Sequence, residues 1–392
     1  MKASPWPPRP LGQLVDVLDH KRVPVSAKER ASRPGGVPYY GAAGQVGWID
    51  KPLFNEPLLL LGEDGVQFFD PAKSKAYIID GPAWVNNHAH VLRVRHDLVE
   101  RRFLMYYLNW TDYHGFANGT TRLKLTKTAM TSMPIPLPSL GDQRRIVEIL
   151  EDHLSRLDAA GAGIAKAERR LKALHKSVLL KSIPDIADYP ADWKTSTVEQ
   201  AGKVDLGRQR HPDWHAGPNM RPYLRVANVF EDRIDTRSLY EMHWPGDTFD
   251  RFRLLPGDVL LNEGQTPELL GRPALYRGHP SEVAFTNSLL RFQASTVVLP
   301  EFALLVFRRH MHAGRFTKES RITTNIAHLS AARLKPIEFP IPPMRVQEEV
   351  VNRAEQQLSA LTRLGVETAA ARSRSAGLRR SLLGAAFSGW LP

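Results

Sequence analysis

The chain has 392 residues, 42% hydrophobic and 24% charged. That is the balance of a globular protein of roughly two to three domains, and it excludes a mainly disordered, collagenous or membrane-embedded chain. There is no cysteine, so disulfides, cysteine–zinc sites and cysteine nucleophiles are excluded. The net charge of +12 favours a polyanionic partner, nucleic acid first. Residues 1–8 lack the apolar core of a signal peptide, and no apolar run approaches the roughly 18 residues of a membrane span. The expectation is a soluble chain of the cytoplasm.

Residues 1–138 are rich in glycine, proline and aromatics, with β-type runs at 57–61 and 91–94. Short strands joined by many loops predict a compact mixed domain whose loops carry function. Residues 142–183 predict a long helix. Leu150, Leu154, Leu157, Ile164, Leu171 and Val178 recur near the helical period. Asp142 stands where an N-cap is expected, Gly161 and Gly163 weaken the middle, and Pro184 ends the run. Residues 186–341 predict a second mixed domain, with strands at 223–226, 258–261 and 288–292, and residues 344–386 a second long helix. The basic excess is uneven: nine basic against six acidic residues in 140–183, but 20 against 19 in 184–339. A nucleic-acid footprint in the second domain must therefore come from local clustering.

The chain repeats itself. Pro136-Leu137-Pro138 with Gln143, Ile146 and Val147 matches Pro340-Ile341-Pro342 with Gln347, Val350 and Val351, and the register holds on to Leu174 and Leu378. Upstream the match loosens: Leu61-Gly62-Glu63 faces Leu261-Asn262-Glu263, and Asn87 faces Asn287. One half-unit drifts while the other is held, which reads as two recognition modules on a shared frame. The predicted architecture is α+β: two mixed α/β domains separated by two long antiparallel helices that form a coiled coil, related by a pseudo-twofold repeat. The boundaries are 1–138, 139–185, 186–341 and 342–392.

Catalytic motifs are missing. No phosphate-binding loop is present, and neither Pro7-Pro8 nor Pro342-Pro343 has the context of an adenine-methyltransferase motif. Asp258 with Glu263 is the nearest approach to a Mg²⁺-dependent nuclease, but the lysine is lacking. His88 and His90 alone make a weak zinc site. No metal and no catalytic residue is expected. What the sequence offers is chemistry for reading bases and gripping phosphates. In the first half this is Lys21, Arg22, Tyr39, Tyr40, Asn86, Asn87, His88, Thr120, Thr121, Arg122 and Lys124. In the second half it is Arg208, Arg210, Arg221, Tyr223, Arg225, Asn228, Asn262, Glu263, Gln265, Asn287, Thr323, Thr324, Asn325 and His328.

Across nearly its whole length the chain resembles the specificity subunit of a type I restriction–modification system. The stretches that carry the likeness are Pro38-Tyr39-Tyr40-Gly41-Ala42, Leu61-Gly62-Glu63-Asp64-Gly65, 86–92, and the paired Pro-x-Pro…Gln helix starts, with 221–229, 260–264 and 323–329 in the second half. The resemblance implies two target recognition domains, each reading one half of a bipartite, asymmetric site in double-stranded DNA. The helices would act as a spacer and as the frame on which two modification subunits dock. Those partners would bind S-adenosylmethionine and methylate adenine. Restriction subunits, which are motor-nucleases using ATP and Mg²⁺, would join for cleavage. This chain would bind no cofactor and make no bond. Gly365 and the alanine run at 369–371 set the second helix apart as the weaker dock. The alternatives are a stand-alone DNA-binding regulator and a nuclease using Asp258 and Glu263.

Overall fold

The computed structural model describes residues 5–323 and 326–389. Two compact units form: Met1–Lys166 with Thr368–Pro392, and Ala167–Glu367. Within the first unit, strands Val15–Val17, Ala89–Val94, Leu58–Gly62 and Ala76–Ile79 make an antiparallel sheet in that spatial order. All five residues of Leu58–Gly62 are buried, which is why this central strand reads as an unbroken apolar run and not as an alternation. A second sheet is built on Val37–Gly41, which lies parallel to Pro82–Val85. Helix α1, Arg101–Trp110, starts where the Glu100 carboxylate accepts from the Phe103 N–H at 2.6 Å, and it buries Phe103, Leu104, Tyr107 and Leu108. The ends of this mixed segment meet: Pro8–Pro10 pairs antiparallel with Pro134–Pro136.

Helix α2, Leu140–Ser182, follows at once. Its start corrects the expected cap. The Ser139 hydroxyl accepts from the Asp142 N–H at 3.2 Å and donates to the Asp142 carboxylate at 2.6 Å. Ser139 is therefore the N-cap, and Asp142 sits a turn inside, where its charge suits the helix N-terminus. The helix runs unbroken through Gly161 and Gly163.

The second unit repeats the plan. Strands Gly202–Leu206, Leu289–Ala294, Val259–Asn262 and Pro273–Leu275 form the antiparallel sheet in the same topological order. Met220–Leu224 lies parallel to Ala284–Phe285, and Lys194–Thr197 pairs with Glu338–Ile341 to join the ends of the segment. The strand expected at 223–226 stops at Leu224. The Asn228 amide accepts from the Arg225 N–H at 3.1 Å and turns Val226–Asn228 into a 3-10 helix. Helix α3, Pro300–His312, is buried along most of its length, and helix α4, Met344–Phe387, ends the repeat.

Each unit contains part of both long helices. In the first, Leu150 and Leu154 of α2 and Phe387 of α4 enter the core with Phe103 and Leu108. Phe387 packs edge-on against Phe103 and Tyr107, with ring centres 5.5 and 5.3 Å apart. A buried phenylalanine contributes about 2–3 kcal/mol, which fastens the end of α4 to this unit. Here Asp158 of α2 pairs with Arg379 of α4. In the second unit Leu179 and Ile183 lie in one core with Val351, Ala354 and Leu358. Early α2 thus packs beside late α4 and late α2 beside early α4, so the helices are antiparallel. No helix among the described residues is long and apolar enough to cross a membrane.

One buried side chain in each unit explains the shared Pro-x-Pro…Gln signature. Gln143 is fully buried. Its Oε1 accepts from the Glu100 N–H at 2.7 Å, and its Nε2 donates to the carbonyls of Pro138 at 2.9 Å and Leu98 at 3.3 Å. Gln347 does the same: its Oε1 accepts from the Leu299 N–H at 2.8 Å, and its Nε2 donates to Pro342 at 2.9 Å and Val297 at 2.8 Å. Each glutamine ties the first turn of a long helix to the residue that precedes α1 or α3.

Candidate nucleic-acid interface

The same backbone turn recurs at the loop end of each central strand. In the first unit the Glu63 N–H donates to the His88 carbonyl at 2.8 Å, and the Leu125 N–H donates to the Glu63 carbonyl at 2.8 Å. In the second the Glu263 N–H donates to Ser288 at 3.0 Å, and the Leu329 N–H to Glu263 at 2.7 Å. These bonds bring Glu63, His88 and Lys124 together in one unit, and Glu263, Asn287 and His328 in the other.

In the first unit the acids and bases of this turn are already paired. Glu63 receives Arg22 at 2.8 Å and Lys124 at 3.0 Å. Asp64 receives Arg122 at 2.8 Å and faces His88 Nδ1 at 2.7 Å. Burial works against the charge of Glu63, but its bonds to Arg22 and Lys124 outweigh that and lower its pKa. Asp19 is likewise lowered in spite of burial, by His90, the Val91 N–H and Arg22. His90 Nδ1 meets Asp19 at 2.6 Å and Nε2 meets the Leu125 carbonyl at 2.8 Å. Both ring nitrogens are therefore occupied, and His88 lies outside the strand that holds His90. The geometry offers no zinc site on this pair. Lys21, Asn87, Thr120, Thr121, Arg122 and Lys124 are exposed, whereas Tyr40, Asn86 and His88 are half-buried.

The structure corrects five expected readers by burying them. Tyr39 is 1% exposed, with its hydroxyl on the Val25 carbonyl. Arg208 stacks between Trp214 and Trp244 and donates to the His243 carbonyl at 3.0 Å. Tyr223 and Asn228 are buried, and the Asn228 amide holds the carbonyls of Asp235 and Ser238. Asn262 is 0% exposed. The first four serve the fold of the unbound chain, whereas both polar atoms of the Asn262 amide are buried without a hydrogen-bond partner among the described residues. Arg22 is half-committed too, bridging Glu63 and the Ala89 carbonyl.

Arg210, Arg221 and His328 are exposed, while Arg225, Glu263, Gln265 and Asn287 are half-buried. Arg221 lies 3.6 Å from Glu282, and His328 Nδ1 3.3 Å from Glu263. Thr323 ends the strand Arg321–Thr323, and Thr324 and Asn325 lie outside the described residues. Sequence reasoning missed the aromatic platforms Trp214, in the 3-10 turn Pro212–Trp214, and Tyr240, whose signal is only its cross-strand placement. Asp258, the proposed nuclease ligand, is 3% exposed and accepts from the Leu255 N–H and the Gln293 amide, both at 2.9 Å. Burial raises its pKa. Both its oxygens serve the fold, which removes the geometric basis for a Mg²⁺ site there.

A second charged cluster joins α2 to α3 inside the second unit. Arg308 donates to Glu231 at 2.9 Å and to His175 Nε2 at 3.2 Å, and His312 Nε2 lies 3.1 Å from both Glu231 oxygens. The Arg308 guanidinium bridges Glu231 and His175 and takes the His175 lone pair that a metal would need. Burial opposes the Glu231 charge, but His312 and Arg308 prevail and hold its pKa at about 2. A carboxylate depressed below its unfolded value stabilises the fold above the unfolded pKa, and that stability is lost as pH falls towards the folded one. The stability gap between wild type and Glu231→Gln is therefore expected to be full above about pH 5 and to narrow steadily between about pH 4 and 2. Urea midpoints across that range measure it, and a gap independent of pH would refute the ion-pair assignment.

The fold and the paired turns define a class: a protein with two copies of one module, each presenting polar and basic loops, joined by antiparallel helices. Residues 3–167 match the family model described as the type I restriction modification DNA specificity domain. A putative type I restriction enzyme specificity subunit of Haemophilus influenzae is 24% identical over 351 residues, covering 88% of this chain and 85% of that one. The EcoKI specificity subunit of Escherichia coli is 22% identical over 268 residues, covering 66% and 57%. A solved chain from work on complex assembly and conformational transition of the type I R-M system superposes with a TM-score of 0.77 at 16% identity, both chains covered in full. The crystal structure of the HsdS subunit from Thermoanaerobacter tengcongensis superposes at 0.56 with 18% identity, covering 100% and 99%. Over most of its length the chain is similar to type I restriction enzyme specificity subunits.

Proposed function

We propose that residues 1–138 and 186–341 each read one half of a bipartite, asymmetric DNA site, and that 139–185 and 342–392 carry the docking surfaces for two modification subunits. The observation that supports this best is the repetition itself. The Gln143 and Gln347 ties are the same to the atom, while the loops around Glu63 and Glu263 carry different side chains. A common frame suits two identical partners, and divergent loops suit two different half-sites. Leu174 and Leu378, at equivalent positions of the repeat, are both more than half exposed, as leucines at an interface would be in the free chain. The complex would work in the cytoplasm, with S-adenosylmethionine in the modification subunits and ATP and Mg²⁺ in restriction subunits.

Co-expression with a modification subunit tests this reading. The complex is expected to methylate adenine at one split sequence in genomic DNA, and the isolated chain to methylate nothing. Leu174→Asp and Leu378→Asp together should weaken co-purification at least about tenfold, the loss of roughly 1.4 kcal/mol. A chain that binds its DNA normally and retains no modification subunit would be the stand-alone regulator instead.

A further inference from the structure

In the second unit Arg225 is held ready and has no acceptor among the described residues. Arg22, Arg122, Arg208 and Arg221 each have a protein acceptor. The Arg225 guanidinium has no hydrogen-bond or ion-pair partner among the described residues, and its Nε is buried without one. It is nevertheless fixed. Its guanidinium carbon lies over the Tyr240 ring, 4.0 Å from the centroid. Tyr240 pairs across the strands with Tyr223, edge to face at 6.4 Å and 88°.

The backbone beneath is equally constrained. The Arg225 N–H donates to the Asn228 amide oxygen at 3.1 Å, the Asn228 N–H returns to the Arg225 carbonyl at 2.8 Å, and the Val226 N–H donates to Ser288 Oγ at 3.1 Å. Tyr240 is 49% exposed, so the platform and its arginine face solvent at the edge of the module. An arginine with stacked carbons, a locked backbone and free donors has lost its rotamer freedom before any ligand arrives, and its fork matches the O6 and N7 acceptors of guanine.

We infer that Arg225, oriented by Tyr240, reads a guanine in the half-site of the second module. This rests on the DNA-recognition reading above. A phosphate contact would need only charge, which lysine also supplies. A guanine contact needs the two-pronged fork.

The test uses the complex with its modification subunit and fluorescein-labelled duplexes. The duplexes carry the sequence that the wild-type complex methylates, the same sequence with each G·C pair of one half-site replaced in turn, and a scrambled sequence. Arg225→Ala is expected to lose about 10–100-fold in affinity for the target, to become indifferent to one G·C pair, and to bind scrambled DNA as wild type does. Arg225→Lys should keep scrambled binding without restoring the preference. Tyr240→Leu should lose part of the preference and Tyr240→Phe should keep it. Matching unfolding temperatures would show that the variants are folded. Equal losses on target and scrambled DNA, no loss at all, or full rescue by lysine would each overturn the assignment. A wild-type complex that prefers no sequence would instead overturn the DNA-recognition reading beneath it.

Discussion

Gln143→Leu is expected to lower the unfolding temperature by about 6–12 °C, and Gln347→Leu by a similar amount. Leucine fills much of the space but leaves three backbone groups without partners. At Gln143 these are the Glu100 N–H and the carbonyls of Leu98 and Pro138. A buried polar group left unpaired costs about 1–3 kcal/mol, so about 3 kcal/mol or more is at stake at each site. For a unit of this size 1 kcal/mol moves the midpoint by about 2–4 °C. Gln→Glu should be no rescue, because a carboxylate keeps the acceptor but turns two donors into a charge facing two carbonyl oxygens. Thermal unfolding followed by circular dichroism measures the effect. Leucine variants within about 2 °C of wild type would show that these amides are passengers of the packing, and would remove the physical basis for the repeated signature.

On the proposed function, exchanging residues 1–138 for the equivalent segment of a type I specificity subunit should change one half of the methylated sequence completely and leave the other half untouched. The structure gives a reason the graft should fold. Pro8–Pro10 pairs with Pro134–Pro136, so the two ends of the exchanged segment meet each other. The first contacts beyond the join are the Ser139 cap and the Gln143 tie, and the repeat shares the second of these through Gln347. Methylation mapping of genomic DNA from a host carrying the chimera gives the answer in one experiment. A change in both halves would defeat the modular reading.

Much of the frame was legible because it repeats. Leu150, Leu154, Val351 and Leu358 follow a helical period and a fixed register, and the helices run at Leu140–Ser182 and Met344–Phe387. The cap was misread because Ser139 and Asp142 hydrogen-bond to each other, and either residue type suits the position. The candidate interface was less legible. Tyr39 and Tyr40 are neighbours on a strand, and Tyr39 is fully buried while Tyr40 is half-buried against a second core cluster, a difference that sequence alone does not give. Arg208 and Asn262 have the chemistry of readers but are turned inward: two tryptophan faces and a backbone carbonyl take up Arg208, and Asn262 is fully buried. Arg225 and Tyr240 are 15 positions apart in the chain and become partners only through the cross-strand pairing of Tyr223 with Tyr240. Such juxtapositions belong to the sheet register, which no local pattern encodes.

The short ribbon that closes the first module has one more property. Pro8 stands opposite Pro136 and Pro10 opposite Pro134, so four of its six residues have no backbone N–H to offer. A ribbon edge without donors cannot template another strand. In a free chain, exposed strand edges are a route to aggregation with other copies of itself. Proline at this seam blocks that route for the first module without adding a charge that DNA or a partner would have to accommodate. The corresponding ribbon of the second module, Lys194–Thr197 with Glu338–Ile341, has a single proline, Pro340, and so remains the more adhesive of the two seams.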